Sequence, residues 1–177
     1  VSGKIIRKPV GSEKGYWVGA PGITFDRTEK AFYLSYRIRR PRGVEPDRGG
    51  EVRIARSSDG VKFEDVWSQR KDAFGTTSIE RCKLIRDRSG KWRFFVSHVE
   101  QTGGPWCISS IEGGSVDKLD AGEVKRVFSA GELGLEGIKD PTIVEVDGKY
   151  NMIVSVALTT ENTGAEAHAS NDIYNTG

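Results

Sequence analysis

The sequence predicts an all-β fold built from four-stranded antiparallel units of about 60 residues. Glycine is abundant, with 22 residues in a chain of 177, whereas methionine occurs once. No long stretch places apolar residues at the i, i+3, i+4 and i+7 spacing of an amphipathic helix. Instead, short apolar runs separated by polar turns recur along the chain, and such recurrence indicates a repeat architecture.

Each unit opens with a hairpin. The three hairpins lie at residues 22–37, 83–97 and 142–155. The second strand of each begins with an aromatic residue, namely Phe32, Trp92 and Tyr150, at intervals of 60 and 58 residues. The turn Asp147-Gly148 has the sequence preferred in two-residue hairpin turns, because its glycine accepts positive φ.

Two further strands complete a unit. Third strands are predicted at residues 51–57 and 106–111, and fourth strands at residues 63–67 and 125–128. Four antiparallel strands in succession describe one blade of a β-propeller. A β-sandwich with similar hairpins is the alternative, but three matched aromatic-led hairpins favour the propeller.

The predicted blades span residues 16–75, 76–135 and 136–177, and the last one is incomplete. Two and a half blades do not close a ring, since propellers typically have about four to eight. We therefore expect a single, partial propeller domain. Either the chain belongs to a longer polypeptide or another copy of it completes the ring as a homo-oligomer.

Composition excludes several classes of function. The net charge is +2, too small to predict a nucleic-acid partner from bulk electrostatics. No apolar run approaches the roughly 18 residues of a membrane span. The N-terminus does not resemble a secretion signal, which slightly favours the cytoplasm. Cys82 and Cys107 lack the spacing of a zinc site and are predicted to be buried thiols. No phosphate loop or dinucleotide fingerprint occurs, so we expect no cofactor and no metal.

The order of strands within a blade predicts where the candidate site lies. In a four-stranded blade, the starts of all first strands and the links from second to third strands share one face. Glu80 and Asp140 open first strands on this face, and Glu136 precedes Asp140 by four residues. The structural alternatives are an ion pair between Glu80 and Arg81 or another arginine, and a capping role for Asp140. His98 and His168 are expected to be structural.

Arginines and aromatic residues accompany these carboxylates. Arg37 and Arg39 share one face of a strand with Tyr33 and Ser35, and arginine forks suit a carboxylate or phosphate. Internal pairing with Glu45, Asp47 or Glu51 is the alternative. The other residues expected to contact a sugar substrate are Trp17, Arg81, Trp106 and Glu136, and Glu136 is also a rival to Asp140 for its role. Trp92 and Tyr150 are instead predicted to lie in the core between blades.

Three pieces of the sequence resemble the five-bladed β-propeller glycosidases, a superfamily with glycoside hydrolase families 43, 32, 68 and 130. They are Ile79-Glu80-Arg81, Lys139-Asp140-Pro141 with Asp147-Gly148-Lys149-Tyr150, and residues 54–60 (IARSSDG) followed by Phe63. The resemblance covers residues 16–157 and implies a carbohydrate substrate. It also implies an acidic residue at the start of inner strands. The first blade departs from this pattern, because residues 17–21 (WVGAP) contain no carboxylate.

Two classes of function follow from this resemblance. In the first, the protein cleaves glycosidic bonds of an oligo- or polysaccharide, with Glu80 as proton donor and Asp140 as base. Phosphorolysis is a variant if the arginines hold phosphate. In the second, the propeller binds carbohydrate without turnover, which the missing carboxylate of the first blade favours.

Overall fold

A computed structural model describes residues 3–47, 49–100 and 104–159 of the chain. Within these ranges the regular structure is ten β-strands and two short 3-10 helices, at Lys71–Phe74 and Val116–Lys118. None of the helices in this part of the chain could span a membrane.

The strands form three antiparallel sheets, each joining only consecutive strands. The first sheet contains β1 (Trp17–Asp26), β2 (Ala31–Arg39), β3 (Glu51–Ser57) and β4 (Glu64–Arg70). The second contains β5 (Ile79–Arg86), β6 (Trp92–Val99), β7 (Trp106–Gly113) and β8 (Lys125–Ser129). The third pairs β9 (Leu135–Val146) with β10 (Lys149–Leu158). We call these sheets blades 1, 2 and 3, and β1, β5 and β9 their inner strands.

The turns follow from their residue types. Asp147 and Gly148 have φ of 47° and 74°, so both adopt the left-handed conformation that a two-residue hairpin turn requires. Asp59 closes another turn, where its carboxylate accepts the N–H groups of Val61 and Lys62 at 2.8 Å. These bonds lower the pKa of Asp59 to about 2. Asp59 therefore has a structural role.

All three inner hairpins contain an irregularity in strand pairing, which lies near the start of β1 and β5 and in the middle of β9. The register shifts between Gly19 and Gly22 in β1 and between Ile79 and Cys82 in β5. In blade 3 the shift lies opposite Lys139–Thr142. The residues within the three irregularities are Ala20-Pro21, Glu80-Arg81 and Asp140-Pro141. The interrupted ladder frees this stretch of backbone to turn a side chain away from the regular alternation of the strand.

Blades 1 and 2 pack face to face through an aromatic core. Trp92 and Phe94 are almost completely buried. The ring centroids of Tyr33 and Trp92 lie 4.6 Å apart, and those of Trp67 and Phe94 lie 5.4 Å apart. Burying each such side chain contributes about 1.5–3 kcal/mol. This core fixes β2 of blade 1 against β5 of blade 2, the boundary at which the candidate site lies.

A smaller core joins blades 2 and 3 and contains Phe95, Ile108, Ile138 and Ile143. The prediction that Trp92 lies in the core is confirmed. The same prediction for Tyr150 is wrong, because its side chain is 45% exposed. Tyr150 stands beside the hairpin tip, where its hydroxyl accepts the N–H of Arg88 at 3.1 Å.

The predicted all-β fold of four-stranded antiparallel blades is confirmed, with two complete blades followed by the inner pair of strands of a third. Cys82 and Cys107 are buried free thiols, as expected. That the domain is one part of a five-bladed ring, divided at the predicted boundaries, stays a prediction.

Candidate active site at the starts of the inner strands

Glu80 forms an ion pair with an arginine of the preceding blade. Its Oε2 lies 2.7 Å from Nη1 of Arg37, and the two side chains are 21% and 10% exposed. Glu80 reaches this position because the irregularity in β5 turns it out of the strand ladder, while Arg37 projects from β2 across the boundary between blades. The carboxylate is thus held in one place beside a neutralising charge.

Arg37 is itself held on two further sides. Its Nη1 also donates to the carbonyl of Ile79 at 2.9 Å. Its guanidinium lies 5.1 Å from the ring centroid of Trp17, which is a cation–π contact. Trp17 reaches it by folding over Gly19, where an added Cβ would lie 2.3 Å from the indole ring. Arg37 Nε is buried without a hydrogen-bond partner among the described residues.

A small polar cavity lies between these groups. Its lining consists of Arg37, Arg39, Gly49, Ser78 and Glu80, and its volume is about 20 Å³. That volume accommodates roughly one water molecule or one hydroxyl group of a ligand. Gly49 closes the cavity by packing against β5, where its carbonyl accepts the N–H of Ile79 at 2.8 Å. The structure therefore brings together three of the predicted site residues, Arg37, Arg39 and Glu80.

Asp140 has a different environment. Its φ is 58°, the left-handed region that Asp adopts more readily than most residues with a Cβ. Its backbone N–H donates to Ser97 Oγ at 2.9 Å. Among the described residues, the Asp140 carboxylate has no ion pair within 4.0 Å. The two candidate carboxylates thus differ in charge environment, although both stand at irregularities of inner strands.

Cys82 follows Glu80 by two residues in β5, and its buried thiol donates to the Glu80 carbonyl at 3.4 Å. Burial raises its pKa strongly, and the negative charges of Glu80 and Asp140 raise it further, while Arg37 lowers it. A thiol with so high a pKa is not a nucleophile at neutral pH.

Trp106 and Glu136 lie on the blade 3 side of this region. Trp106 is the first residue of β7, and its ring centroid lies 5.4 Å from Nζ of Lys139, which precedes Asp140. Glu136 lies near the start of β9 and is partly buried. Arg81 follows Glu80 but is exposed and does not line the small cavity. The predicted site residues thus divide between the Glu80 cavity, with Trp17 over it, and a second group near Asp140.

His98 lies inside blade 2. Its Nε2 is 2.9 Å from Ser109 Oγ and its Nδ1 is 3.1 Å from the carbonyl of Val99. Burial lowers the pKa of His98, and it raises the pKa of the neighbouring Cys107 thiol to about 11. His98 is therefore a neutral structural residue, while His168 lies outside the described residues.

A larger cavity lies elsewhere. It has a volume of about 840 Å³ and follows the inner strands toward their hairpin turns, the end opposite to Glu80 and Asp140. Four of its charged residues are already paired, Asp26 with Arg86 and Arg88 with Glu145. The small cavity offers a carboxylate beside a buried, incompletely bonded arginine, so we place the candidate site there.

The fold is shared with known enzymes. A thermostable family-43 glycoside hydrolase matches with a TM-score of 0.53 and 15% identity, over 84% of this chain and 44% of that one. The exo-β-1,3-galactanase 1,3Gal43A from Clostridium thermocellum matches with a TM-score of 0.52 and 17% identity, over 77% and 31%. A family-32 β-fructofuranosidase from Bombyx mori matches with a TM-score of 0.55 and 16% identity, over 78% and 29%.

The chain therefore has the fold of the propeller glycoside hydrolases of families 43 and 32, and it spans less than half the length of these three structures. At these identities the likeness concerns the fold. No protein-family model matches the sequence, and no curated protein does.

Sequence reasoning missed Ser97, Ser78 and Gly49, which hold or enclose the candidate groups. Ser97 could have been identified from the sequence, because it stands 60 residues after Arg37 and so occupies the same position in the next repeat. Gly49 and Ser78 could not, since their contacts arise from the packing of a loop of blade 1 on blade 2.

Proposed function

We propose that this chain carries the acid/base pair of a glycoside hydrolase that acts on an oligo- or polysaccharide. One observation carries the proposal: two carboxylates stand at equivalent irregularities of consecutive inner strands, and within residues 3–47, 49–100 and 104–159 only Glu80 is paired with arginine. Cleavage of a glycosidic bond needs one carboxyl group that protonates the leaving oxygen and one ionised carboxylate that activates water or attacks carbon. Two carboxyl groups in different environments suit two such roles.

The ion pair supports the reverse of the assignment made from the sequence. Arg37 holds the Glu80 carboxylate in one orientation through the 2.7 Å ion pair, and a fixed orientation suits the base or nucleophile. Asp140 lacks an arginine partner among the described residues and suits the proton donor. Trp17 and Trp106 provide aromatic rings beside the two carboxylates, where the apolar face of a sugar ring stacks. Arg37 is already bonded to Glu80 and Ile79, which gives little support to phosphorolysis.

Turnover of aryl glycosides with different leaving groups tests this proposal. We expect Glu80→Gln to lower kcat/KM by about 10²–10⁴ on every substrate. Asp140→Asn should cause a similar loss on alkyl and nitrophenyl glycosides but a much smaller one on dinitrophenyl glycosides, whose leaving group needs no proton. Glu64→Gln, an exposed carboxylate on β4, is the matched control and should leave turnover unchanged.

A second candidate function is carbohydrate binding without turnover. Ala20 supports this function. It occupies in β1 the place that Glu80 occupies in β5 and Asp140 in β9, so blade 1 has no carboxylate there. In that case the wild-type protein hydrolyses none of the glycosides. Calorimetry then detects an oligosaccharide that binds the wild type and binds Trp17→Ala more weakly.

A further inference from the structure

Each candidate carboxylate residue is contacted by the second strand of the preceding blade. Arg37 of β2 reaches Glu80 of β5, and Ser97 of β6 reaches Asp140 of β9. Both pairs are separated by 43 residues, and Arg37 and Ser97 are 60 residues apart. The two contacts therefore occupy the same place in successive repeats.

Packing supports this equivalence independently of the numbering. Tyr33 lies on the face of β2 that carries Arg37, and it packs into the core shared with blade 2. Phe95 lies on the face of β6 that carries Ser97, and it packs into the core shared with blade 3. In both blades this face of the second strand packs toward the inner strand of the following blade.

Ser97 accepts a hydrogen bond from the backbone N–H of Asp140, a residue that is not paired in the strand ladder. The pairing of β9 with β10 is irregular between Lys139 and Thr142, and Asp140 lies inside this irregularity. Its N–H bonds instead to Ser97 Oγ at 2.9 Å, and Ser97 is completely buried. A buried N–H without an acceptor is costly, so this bond stabilises the left-handed backbone that directs the Asp140 side chain.

We propose that Ser97 is a positioning residue for Asp140 and is the counterpart in blade 2 of Arg37 in blade 1. The side chain at this place in the repeat then sets the charge environment of the next carboxylate. Arginine neutralises Glu80, whereas serine bonds to the Asp140 backbone and supplies no cation to its carboxylate. The catalytic consequence rests on the proposed function, but the positioning itself does not.

Amide hydrogen exchange at Asp140, measured by NMR on the full chain, tests the positioning. We expect Ser97→Ala to accelerate exchange of the Asp140 amide by about tenfold, the effect of losing one buried hydrogen bond. Ser97→Thr keeps the hydroxyl and should restore slow exchange. Ser35→Ala is the matched control, because Ser35 is equally buried and bonds to the carbonyls of Gly22 and Cys82 instead.

An Asp140 amide that exchanges equally fast in wild type and Ser97→Ala overturns the inference, as does equal acceleration in Ser35→Ala. Turnover adds the second readout. We expect Ser97→Ala to lower kcat with little change in KM, and Ser97→Thr to recover it. Faster exchange with wild-type kcat would refute the link to the reaction. Faster exchange in a protein that shows no turnover at all would support the positioning and refute the proposed function.

Discussion

The guanidinium of Arg37 and the carboxylate of Glu80 form an ion pair across the boundary between two blades, with 2.7 Å between Nη1 and Oε2. Neither blade alone contains the pair. The geometry of the candidate site therefore depends on how blade 1 packs on blade 2, and changes at this boundary should affect stability and chemistry together.

Breaking the pair from one side should destabilise the protein. We expect Arg37→Met to lower the free energy of unfolding by about 3 kcal/mol, because Glu80 then remains largely buried without its partner. Glu80→Gln in the same background should remove most of that loss. Urea unfolding of the two single variants and the double variant measures the coupling. Strictly additive losses would show that the pair contributes nothing.

Gly49 should tolerate no side chain. A Cβ at this position would lie 2.2 Å from the carbonyl oxygen of Ile79. Gly49→Ala should therefore push the loop off β5, with a loss of about 1–3 kcal/mol in thermal unfolding and weaker ligand binding at the Glu80 cavity. Gly114→Ala is the control, since no atom lies within 4 Å of its added Cβ. Equal stability of the two variants would contradict this packing.

The aromatic core between blades 1 and 2 should dominate stability. Phe94 has 0% exposure and packs against Trp67, so Phe94→Ala should cost about 3–5 kcal/mol in denaturant unfolding. Phe128 is 38% exposed, and the same truncation there should cost about 1 kcal/mol or less. If the two losses are similar, blade packing does not hold the fold in the way described.

Stability should fall in mild acid because of His98. Burial lowers its pKa in the folded protein, with smaller and opposing effects from Glu100 and Arg126. Below the usual histidine pKa of about 6.5 the unfolded chain binds the proton more readily, so acid favours unfolding. We expect the free energy of unfolding to decrease between about pH 7 and about pH 5, and to decrease less in His98→Gln. Parallel pH profiles for the two proteins would refute this role.

The hairpins were predictable because their turns have recognisable sequences. Asp147-Gly148 and the aromatic residue after each turn locate the strand pairs, and the outer strands follow from alternation. The starts of the inner strands were not, since β9 begins at Leu135 and the apolar pattern becomes visible only at Thr142. The irregularity at Asp140-Pro141 interrupts the alternation on which strand prediction depends.

The two candidate carboxylates could be proposed from the sequence, but their environments could not. Glu80 stands at the head of β5 and Asp140 five residues into β9, and the order of strands in a blade brings both to the same end of the inner strands. The pairing of Glu80 with Arg37, rather than with the adjacent Arg81, depends on contact between blades. A side chain's neighbour in the sequence carries little information about its partner across a sheet boundary.

The pairing of consecutive strands alone has a consequence for synthesis on the ribosome. Each sheet requires only local contacts, so blade 1 can form as soon as β4 has emerged. Tyr33 must nevertheless wait for Trp92, about 60 residues later, before its face is covered. At roughly 5–20 residues per second, that face stays open for several seconds. A nascent chain stalled between β4 and β6 would present a folded blade on which Tyr33 is still exposed, and chaperones bind such exposed apolar surfaces.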